Sequence, residues 1–593
     1  MPCKRFIFTN NILDYIVKPA KKGVFMFKKN EDHKQEKLNS TVKNLPTKAK
    51  DLLHNNWPAV FYEHVFSKID EDKFADLYSD GYSRPNKPVN ELVSLEILKE
   101  WFDWNDETLI EKYYLDLGVN YAIGKENLGE DTLAEKTLNN FRRRLAMYEK
   151  ETGISLMKEI FKDIRDDLMD EFDIDGSTQR MDSTFIQANI KNLTRLDLFV
   201  RVLHNFLNDL PENELENIPG EIRKFRYDEN LNLTYRLKRK EVEEKLEKMA
   251  EFTAWIKDRF EDDEKYNMLK SFEHVCRVLD EQCYRIAELE DDEEYLEEDE
   301  EEQMWEPAKK FHRSNDDSDD NEHKKNVEMK EPKDVSSGSL QNPNDDEATY
   351  REKNGESYQG YKSNWCETCS KDNPFQIITE VDIDTNNTED VQMLESSVDE
   401  LSDQTNMEDL INDAGYSGKD IEEKCGENGV TQHFSGIKGR QIEDERIPLG
   451  EAEFEGHDML ECPEGHQPCR QEYYPNKQRY WGRFKKEACD NCKLREQCFV
   501  VERNEFYSYG FYHRQRITAE RRALMKDPEY RKFLQLRAGA ESMINEAYHK
   551  TGKRTRYTGK IKVKNSTIAK GMGVNIKRVT RFLKKKLENE YLF

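Results

Sequence analysis

Three carboxylates of the sequence, Asp182, Asp413 and Glu541, stand at positions from which acidic groups can converge on metal ions. Asp182 lies near the end of a predicted strand, Asp413 directly follows another, and Glu541 begins a predicted helix. On separate elements they can meet only through the fold, where they would form an oxygen-rich anionic pocket. Mg²⁺ prefers such ligands, and two such ions can activate an attacking oxygen and stabilise a leaving one at a phosphodiester. Spacing alone does not separate this role from helix or turn capping, which is common for Asp and Glu.

Other acidic residues nearby fit structural roles better. Glu546 follows Glu541 by five residues on the same predicted helix, and five residues rotate a helix by about 140° from the starting face. The side chains of Glu541 and Glu546 therefore cannot both face the same site. Asp384 and Asp390 are interpreted as a strand-end residue and a helix-start residue.

A second group with metal-binding chemistry consists of cysteines in a segment between the second and third carboxylates. Its members are Cys462, Cys489, Cys492 and Cys498. Four thiolates that include one short Cys-x-x-Cys pair suit a closed, tetrahedral Zn²⁺ site. Cys469 and His466 are alternative ligands, and reduced surface thiols without metal are the alternative interpretation.

The remaining cysteines carry little signal. Cys366 and Cys369 form another Cys-x-x-Cys pair but have no neighbouring ligands, which favours coincidence. Eleven cysteines in a chain of 593 residues do not indicate a disulfide framework.

Basic residues are concentrated near the two ends of the chain and on one helix. The candidates for contact with DNA phosphates are Arg142, Arg143, Arg144, Lys553, Arg554, Arg556, Lys560, Lys562 and Arg578. The arginine triplet is either a solvated helix face or a phosphate-binding face, since helical modules often place such residues on DNA. The C-terminal group directly follows Glu541, and a DNA-cutting enzyme needs phosphate neutralisation beside an acidic metal site.

Composition limits the class of protein. The net charge is −28, and hydrophobic and charged residues each make up 36% of the chain, which predicts folded domains separated by solvated stretches. A negative net charge does not exclude a DNA partner, because the local distribution of charge decides whether a surface attracts DNA. No apolar run approaches the roughly 20 residues of a membrane span, and the N-terminus lacks the features of a signal peptide. We therefore expect a soluble, intracellular protein in the cytoplasm or nucleoid, without a membrane partner.

The elements that must position the carboxylates alternate between strands and helices. Residues 178–186 are predicted to form the strand of Asp182, and FQIITEVDID is predicted to form another. A helix is expected through Val391, Leu394, Val398 and Leu401, and a final helix through Ile568, Met572, Ile576, Val579 and Leu583. This order indicates an α/β catalytic core with a mixed sheet, preceded by an all-α module.

A long acidic segment interrupts this pattern. The run AELEDDEEYLEEDEEEQ opens a stretch rich in Asp, Asn and Ser that reaches about residue 345. Like charges at that density repel one another, and few apolar groups offset the cost of ordering. We predict a disordered insertion that proteases cut within residues 287–345.

Several blocks of the sequence resemble DDE-class transposases of bacterial insertion sequences. QRMDSTFIQANIKNLTRLDLF is similar to the first catalytic block, LINDAGYSG to the second, and RAGAESMINEAYHKTGKRTRYTG to the third. YSRPNKPVNELVSLEILKEWF is similar to the helical module before the core, and related transposases often carry a cysteine-rich insert before the Glu. The resemblance covers residues 51–200 and 345–590, with the blocks in the expected order.

The resemblance implies a function. It assigns Asp182, Asp413 and Glu541 to catalysis on an RNase H-like core with Mg²⁺ or Mn²⁺. It also implies cleavage and strand transfer at the inverted-repeat ends of the element, by a dimer or larger assembly on DNA. The alternatives are a transposase-derived DNA-binding regulator without catalysis and a metal-dependent nuclease.

The predicted domain organisation has six parts. They are a basic arm (1–50), a helical DNA-binding module (51–150), the first part of the core (175–200 and 345–440), a helical and then acidic insertion (201–344), a cysteine-rich, zinc-ribbon-like insert (441–505), and C-terminal core helices (506–593).

Overall fold

The computed structural model describes residues 27–35, 37–78, 86–231, 237–285, 327–436, 452–549 and 552–590. The chain divides into two compact units, one made of Met1–Ile164 with Val579–Phe593, the other of Arg165–Arg578. None of the described helices is both long enough and apolar enough to cross a membrane.

The first unit is helical, as its sequence pattern predicts. Its helices are α1 (Thr47–His54), α2 (Trp57–His64), α3 (Val89–Phe102), α4 (Asp106–Leu115), α5 (Leu117–Ala122) and α6 (Glu135–Thr152), and α7 (Leu156–Glu171) follows. Asparagine side chains cap two of them, Asn56 at α2 and Asn105 at α4, by accepting a backbone N–H of the first turn. The helical module therefore begins before residue 51, inside the segment assigned to the basic arm. Residues 1–26 of that arm lie outside the described residues.

A mixed sheet forms the centre of the second unit. Its strands are β1 (Thr178–Gln187), β4 (Thr349–Lys353), β5 (Glu356–Thr368), β6 (Ile378–Thr385), β7 (Asp409–Asn412) and β8 (Thr431–Phe434). β5 is antiparallel to β1, β4 and β6, whereas β1, β7 and β8 are parallel to one another. The predicted strands at 178–186 and FQIITEVDID are confirmed, and the mixed α/β class with them.

Helices cover the sheet near β7. They are α13 (Asp390–Glu395), α14 (Val398–Thr405) and α15 (Lys419–Glu427). The single helix expected through residues 391–401 is wrong, because two short helices stand there. The hydroxyls of Ser396 and Ser397 both donate to the Met393 carbonyl, which ends the first helix. Its apolar stripe is nevertheless buried in the core beside β7.

A helical insertion with its own core follows β1. It contains α8 (Arg195–Asp209), α9 (Glu212–Leu215), α10 (Gly220–Arg223), α11 (Arg239–Phe260) and α12 (Lys270–Gln282), and the pair of strands β2 (Cys283–Arg285) and β3 (Val327–Met329). The prediction of disorder is wrong for residues 327–344: Val327 and Leu340 are buried in this core, and Asn342 donates to the Lys191 carbonyl. Residues 286–326, which include most of the acidic run, lie outside the described residues.

The cysteine-rich insert is built from short strands. A hairpin of β9 (Glu453–Glu455) and β10 (Asp458–Glu461) precedes a four-stranded sheet of β11 (Arg470–Tyr474), β12 (Arg479–Lys485), β13 (Val501–Glu502) and β14 (Phe506–Tyr512), with the short helix α16 (Lys486–Asp490). Because β14 pairs with β12 along its whole length, the insert ends at about Tyr512, later than the predicted boundary at residue 505. Residues 437–451 are outside the described part of the chain.

The last helices return to the core. They are α17 (His513–Leu524), α18 (Pro528–Leu534), α19 (Ala538–Tyr548) and α20 (Lys560–Glu590). The predicted final helix is confirmed, since Ile568, Met572 and Ile576 are buried on α20. Between α19 and α20, the Gln187 N–H of β1 donates to the Lys553 carbonyl at 2.7 Å, and the Thr555 N–H donates to Gln187 at 2.9 Å.

Candidate active site

The parallel pairing of β1 and β7 places two of the three carboxylates side by side. The register pairs Arg180 with Ile411, so two residues further along, Asp182 is level with Asp413. Asp413 directly follows β7, whereas Asp182 lies in the middle of β1 and not near its end as predicted. Asp413 also accepts the Gly415 N–H at 2.6 Å, which starts the turn after β7. The side chain of Asp182 is 15% exposed and that of Asp413 is 44% exposed.

Glu541 joins them from the first turn of α19. One guanidinium, that of Arg537, faces all three carboxylates, with nitrogen–oxygen distances of 3.3 Å to Asp182, 3.8 Å to Asp413 and 3.9 Å to Glu541. Glu541 is 72% exposed. The structure therefore brings the three sequence-predicted residues around one point, closed on the Asp182 side and open to solvent on the Glu541 side.

Arg537 is the site residue that sequence reasoning missed. It precedes Glu541 by four residues, a spacing that brings side chains together on a helix, and this was the available signal. Its guanidinium balances negative charge that would otherwise repel. Burial raises the pKa of the Asp182 carboxyl above its usual value and Arg537 opposes that rise, while Asp413 and Asp390 add to it.

Asp390 is a fourth carboxylate at the edge of the site. It is the first residue of α13, as predicted, and it accepts the Ser183 hydroxyl at 2.5 Å and pairs with Lys362 at 2.7 Å. A Cβ on Gly415 would lie 2.6 Å from an Asp413 oxygen and 2.9 Å from an Asp390 oxygen. Asp390 thus borders the three carboxylates, although its own partners are a lysine and a serine.

The start of α19 is held against β1 by a buried ion-pair network. Arg180 pairs with Glu367, whose side chain is fully buried, and donates to the Leu536 carbonyl at 2.6 Å. Gly539 lies directly over this guanidinium, since a Cβ there would come within 2.0 Å of Arg180. The absence of a side chain at Gly539 lets the helix approach the strand and sets the position of Glu541.

Glu546 belongs to the same network and faces away from the three carboxylates. It pairs with Lys577 at 2.9 Å and with Arg578 at 3.0 Å, and Arg578 also pairs with Glu367 at 2.6 Å. These contacts lower the pKa of Glu546, although burial alone would raise it. The geometry thus separates Glu541 and Glu546 as the helical rotation requires.

Comparison with known families agrees with this geometry. A family model described as Transposase DDE domain matches residues 461–580, and one described as Transposase domain (DUF772) matches residues 48–144. Both descriptions are those of transposase domains and are consistent with a DDE transposase of insertion-sequence type. The DDE match includes Glu541 and the four cysteines, while Asp182 and Asp413 precede it. A DDE domain implies an RNase H-like core, and the mixed sheet around β1 precedes the residues that this model matches. No curated protein and no solved structure matches the chain significantly.

The residues predicted to contact DNA separate into two groups. Arg142 is 10% exposed and pairs with Glu96 and Asp106, and Arg578 is enclosed by Glu367 and Glu546. Both were predicted to contact DNA phosphates. Their guanidinium groups instead form ion pairs with carboxylates of the protein, which contradicts that prediction. The others remain proposals. Arg143, Arg144, Lys553 and Arg554 are exposed, Arg556, Lys560 and Lys562 are partly exposed, and Arg144 lies over the Tyr78 ring.

Three of the four candidate zinc ligands, Cys462, Cys489 and Cys498, pack in one core of the insert. Burial raises the pKa of the Cys489 thiol to about 12, and the nearby thiols of Cys498, Cys462 and Cys492 contribute to the rise. Cys489 is buried in the core of the insert, with Cys462 and Cys498 packed against that core. The alternative ligand Cys469 is exposed and donates to the Arg483 carbonyl. Cys366 and Cys369 are buried elsewhere.

Neither the three carboxylates nor the four cysteines have the spacing of ligands around a bound metal ion. Among the described residues, no three His, Cys, Asp or Glu side chains lie close enough together to hold one ion. At the carboxylates the reason is visible, because the Arg537 guanidinium stands among them. The donor set itself, three carboxylates around one cation, has the chemistry that Mg²⁺ or Mn²⁺ requires.

This arrangement predicts that Arg537→Gln makes the stability of the protein depend more strongly on Mg²⁺. Without the guanidinium the three carboxylates repel one another. In the absence of metal, the unfolding temperature should therefore fall by a few degrees, which corresponds to a loss of about 1–2 kcal/mol in the free energy of unfolding. Added Mg²⁺ should then raise it by more than in the wild type, because the ion no longer competes with a bound cation. Thermal unfolding with and without Mg²⁺ measures both effects.

Arg521→Gln provides the matched control, because Arg521 pairs with Glu422 at 2.6 Å outside the three carboxylates. Its loss should shift the unfolding temperature equally with and without Mg²⁺. If Arg537→Gln shows the same Mg²⁺-induced rise as the wild type, Arg537 does not occupy the position of the metal.

Proposed function

We propose that this transposase cuts and joins DNA at the inverted-repeat ends of its own insertion sequence. The observation that carries the proposal is the convergence of Asp182, Asp413 and Glu541 on one cation, from two strands and a helix. Acidic residues placed for structural reasons have no need to meet in this way, since each would find a cap or an ion pair locally.

The chain's own residues divide the work. Asp182, Asp413 and Glu541 would hold Mg²⁺ or Mn²⁺, which when bound supplies activation of an attacking oxygen and stabilisation of a leaving oxygen. Asp182, on the buried side of the pocket, would provide a metal ligand in a fixed position. Glu541, on the open side, leaves room for a phosphodiester to approach from solvent. Arg537 offsets part of the negative charge of the pocket before the ions bind.

The basic segment after α19 is suited to hold the DNA backbone near this pocket. Its first residues pair with Gln187 at the end of β1, five residues beyond Asp182 and hence about 17 Å along the strand. Lys553 and Arg554 are exposed there. Phosphates bound at that distance would keep a duplex across the carboxylates. We further propose a homodimer or larger assembly, because two ends must be joined.

Incubation of the purified protein with Mg²⁺ and DNA carrying the element's two ends tests the proposal. Both cleaved ends and products joined to target DNA are expected. Cleavage without joining would favour a metal-dependent nuclease, and binding without cleavage would favour a transposase-derived regulator. Either result would overturn the proposed strand transfer.

We also propose that Cys462, Cys489, Cys492 and Cys498 bind one structural Zn²⁺, forming the zinc-ribbon-like part of the insert. The packing of Cys462, Cys489 and Cys498 in one core of the insert supports the proposal. Binding would require the four thiols to lose their protons, which the raised pKa values of Cys489 and Cys498 oppose until a metal is present. No water position would remain open on such an ion.

Zinc content gives a direct prediction. Protein purified without chelator should contain about one zinc per chain, and the double substitution Cys489→Ser, Cys492→Ser should release it. Faster hydrogen exchange is then expected in β9–β14, with no change in β1 and β7. Cys469→Ser is the matched control and should retain the metal. Wild-type protein without zinc would refute the proposed site.

A further inference from the structure

The four-stranded sheet of the insert has one covered face and one open face. Tyr480, Phe484, Tyr509 and Phe511 point to the covered face, where they are buried together. Strand alternation places the residues between them on the opposite face. The pairing register confirms that these residues form continuous rows across β11, β12 and β14.

The open face is strongly basic. It carries Arg470, Arg479, Arg483 and Lys485, against the single carboxylate of Glu472. None of these four cations forms an ion pair with a described residue. Arg470 and Arg483 stand directly opposite each other in the register, an arrangement of like charges that destabilises a sheet. A bound anion would relieve that repulsion.

Aromatic rings alternate with these cations. One row consists of Tyr474, Arg479 and Tyr512, and the two tyrosines are 40% and 54% exposed. In the next row Trp481 is partly exposed and has Gly510 as its cross-strand neighbour. The Arg479 guanidinium lies over this glycine, 3.3 Å from the position that a Cβ would take, and 5.7 Å from the centroid of the Tyr512 ring. Exposed aromatic groups of this density mark binding surfaces in soluble proteins.

We propose that this open face binds an unpaired DNA strand. Arginines would contact successive phosphates, and bases would stack on Trp481, Tyr512 and Tyr474. Surfaces that combine cations with aromatic platforms bind single strands, because stacking requires base faces that are covered in a duplex. The inference rests on the proposed function, since it gives the transposase a place to hold a DNA strand that has separated from its partner.

Fluorescence anisotropy with the full-length protein tests this in the absence of Mg²⁺, so that binding is measured without cleavage. The probes are a labelled oligothymidylate and a blunt duplex of the same length. The double substitution Trp481→Ala, Tyr512→Ala should weaken binding of oligothymidylate about tenfold or more, with little effect on the duplex. Arg479→Ala with Arg483→Ala should reduce the slope of log affinity against log salt by about 1.4, from two phosphates at about 0.7 each.

Two further variants separate stacking from folding. Trp481→Phe keeps a ring and should retain most of the affinity. Tyr227→Ala with Lys248→Ala removes an exposed aromatic residue and an exposed cation from the helical insertion and should leave binding unchanged. Equal affinities of wild type and the Trp481 and Tyr512 variant would overturn the inference, as would wild-type protein that does not bind oligothymidylate. Normal cleavage of end DNA alongside either result would leave the proposed function standing, whereas loss of end cleavage in the wild type would refute that function separately.

Discussion

Replacing any one of Asp182, Asp413 and Glu541 by its amide is expected to reduce DNA cleavage at least about a thousandfold. An amide keeps the shape of the side chain but removes the negative charge that holds a divalent ion. Metal ions supply several kcal/mol of transition-state stabilisation, and each 1.36 kcal/mol corresponds to about tenfold in rate. DNA binding should change little, because the contacts proposed for DNA lie on other residues. Rates of strand cleavage and electrophoretic mobility shifts, measured on the same preparations, check both expectations.

Asp399→Asn is a suitable control for these variants. Asp399 is 62% exposed and pairs with Lys424 on the surface, and a surface pair contributes little to stability. It should cleave DNA as the wild type does. Wild-type cleavage by any one of the three amide variants would exclude that residue from catalysis. Glu546→Gln should lower stability, because it breaks the pairs with Lys577 and Arg578, and this would separate the two glutamates of α19.

The strands and the helix that carry the three carboxylates could be predicted from short stretches of sequence. Residues 178–186, predicted to form the strand of Asp182, lie in β1, and the short apolar stretch before Asp413 proved to be β7. The helix of Glu541 was also predicted, although α19 begins three residues earlier, at Ala538. These elements carry the three carboxylates, but the resemblance to DDE transposases, and not their spacing, selected them from 121 acidic residues in the chain. Their role in catalysis stays a prediction.

Contacts between distant residues were less accessible from the sequence. Arg537 faces Asp182 and Asp413 only because α19 packs beside β1, and nothing in its immediate neighbours indicates that packing. Arg142 and Arg578 show the converse, since each was interpreted as a free cation. Their carboxylate partners come from other elements, Glu96 for Arg142 and Glu367 for Arg578.

Composition was an incomplete guide to order. Residues 327–344 are as polar as the acidic run before them, but a few apolar anchors such as Leu340 join them to the core of the helical insertion. Conversely, the stripe through residues 391–401 has the spacing of one helix. Two serines that bind the backbone of the preceding turn divide it, and propensity alone does not reveal which serines will do so.

Gly539→Ala is expected to be the most damaging substitution outside the carboxylates. The added methyl group would lie 2.0–2.3 Å from three atoms of the Arg180 guanidinium. Arg180 cannot easily move aside, because it is held by the buried carboxylate of Glu367 and by the Leu536 carbonyl. Either this pair breaks, which costs about 3–5 kcal/mol for a buried ion pair, or α19 moves away from β1. A displacement of about 1 Å at a catalytic group can cost about a hundredfold in rate.

Gly426→Ala supplies the comparison, because Gly426 lies in α15 and a Cβ there meets no atom within 4 Å. That substitution should leave cleavage unchanged and raise stability slightly, since alanine favours a helix over glycine by up to about 1 kcal/mol. Thermal unfolding and cleavage rates of the two variants distinguish the possible responses of Gly539→Ala. A large loss of stability would indicate that Arg180 is displaced. Near-normal stability with a rate reduced about a hundredfold would indicate that α19 moves and takes Glu541 out of position. If Gly539→Ala behaves like Gly426→Ala, then the close approach of α19 to Arg180 does not position the site.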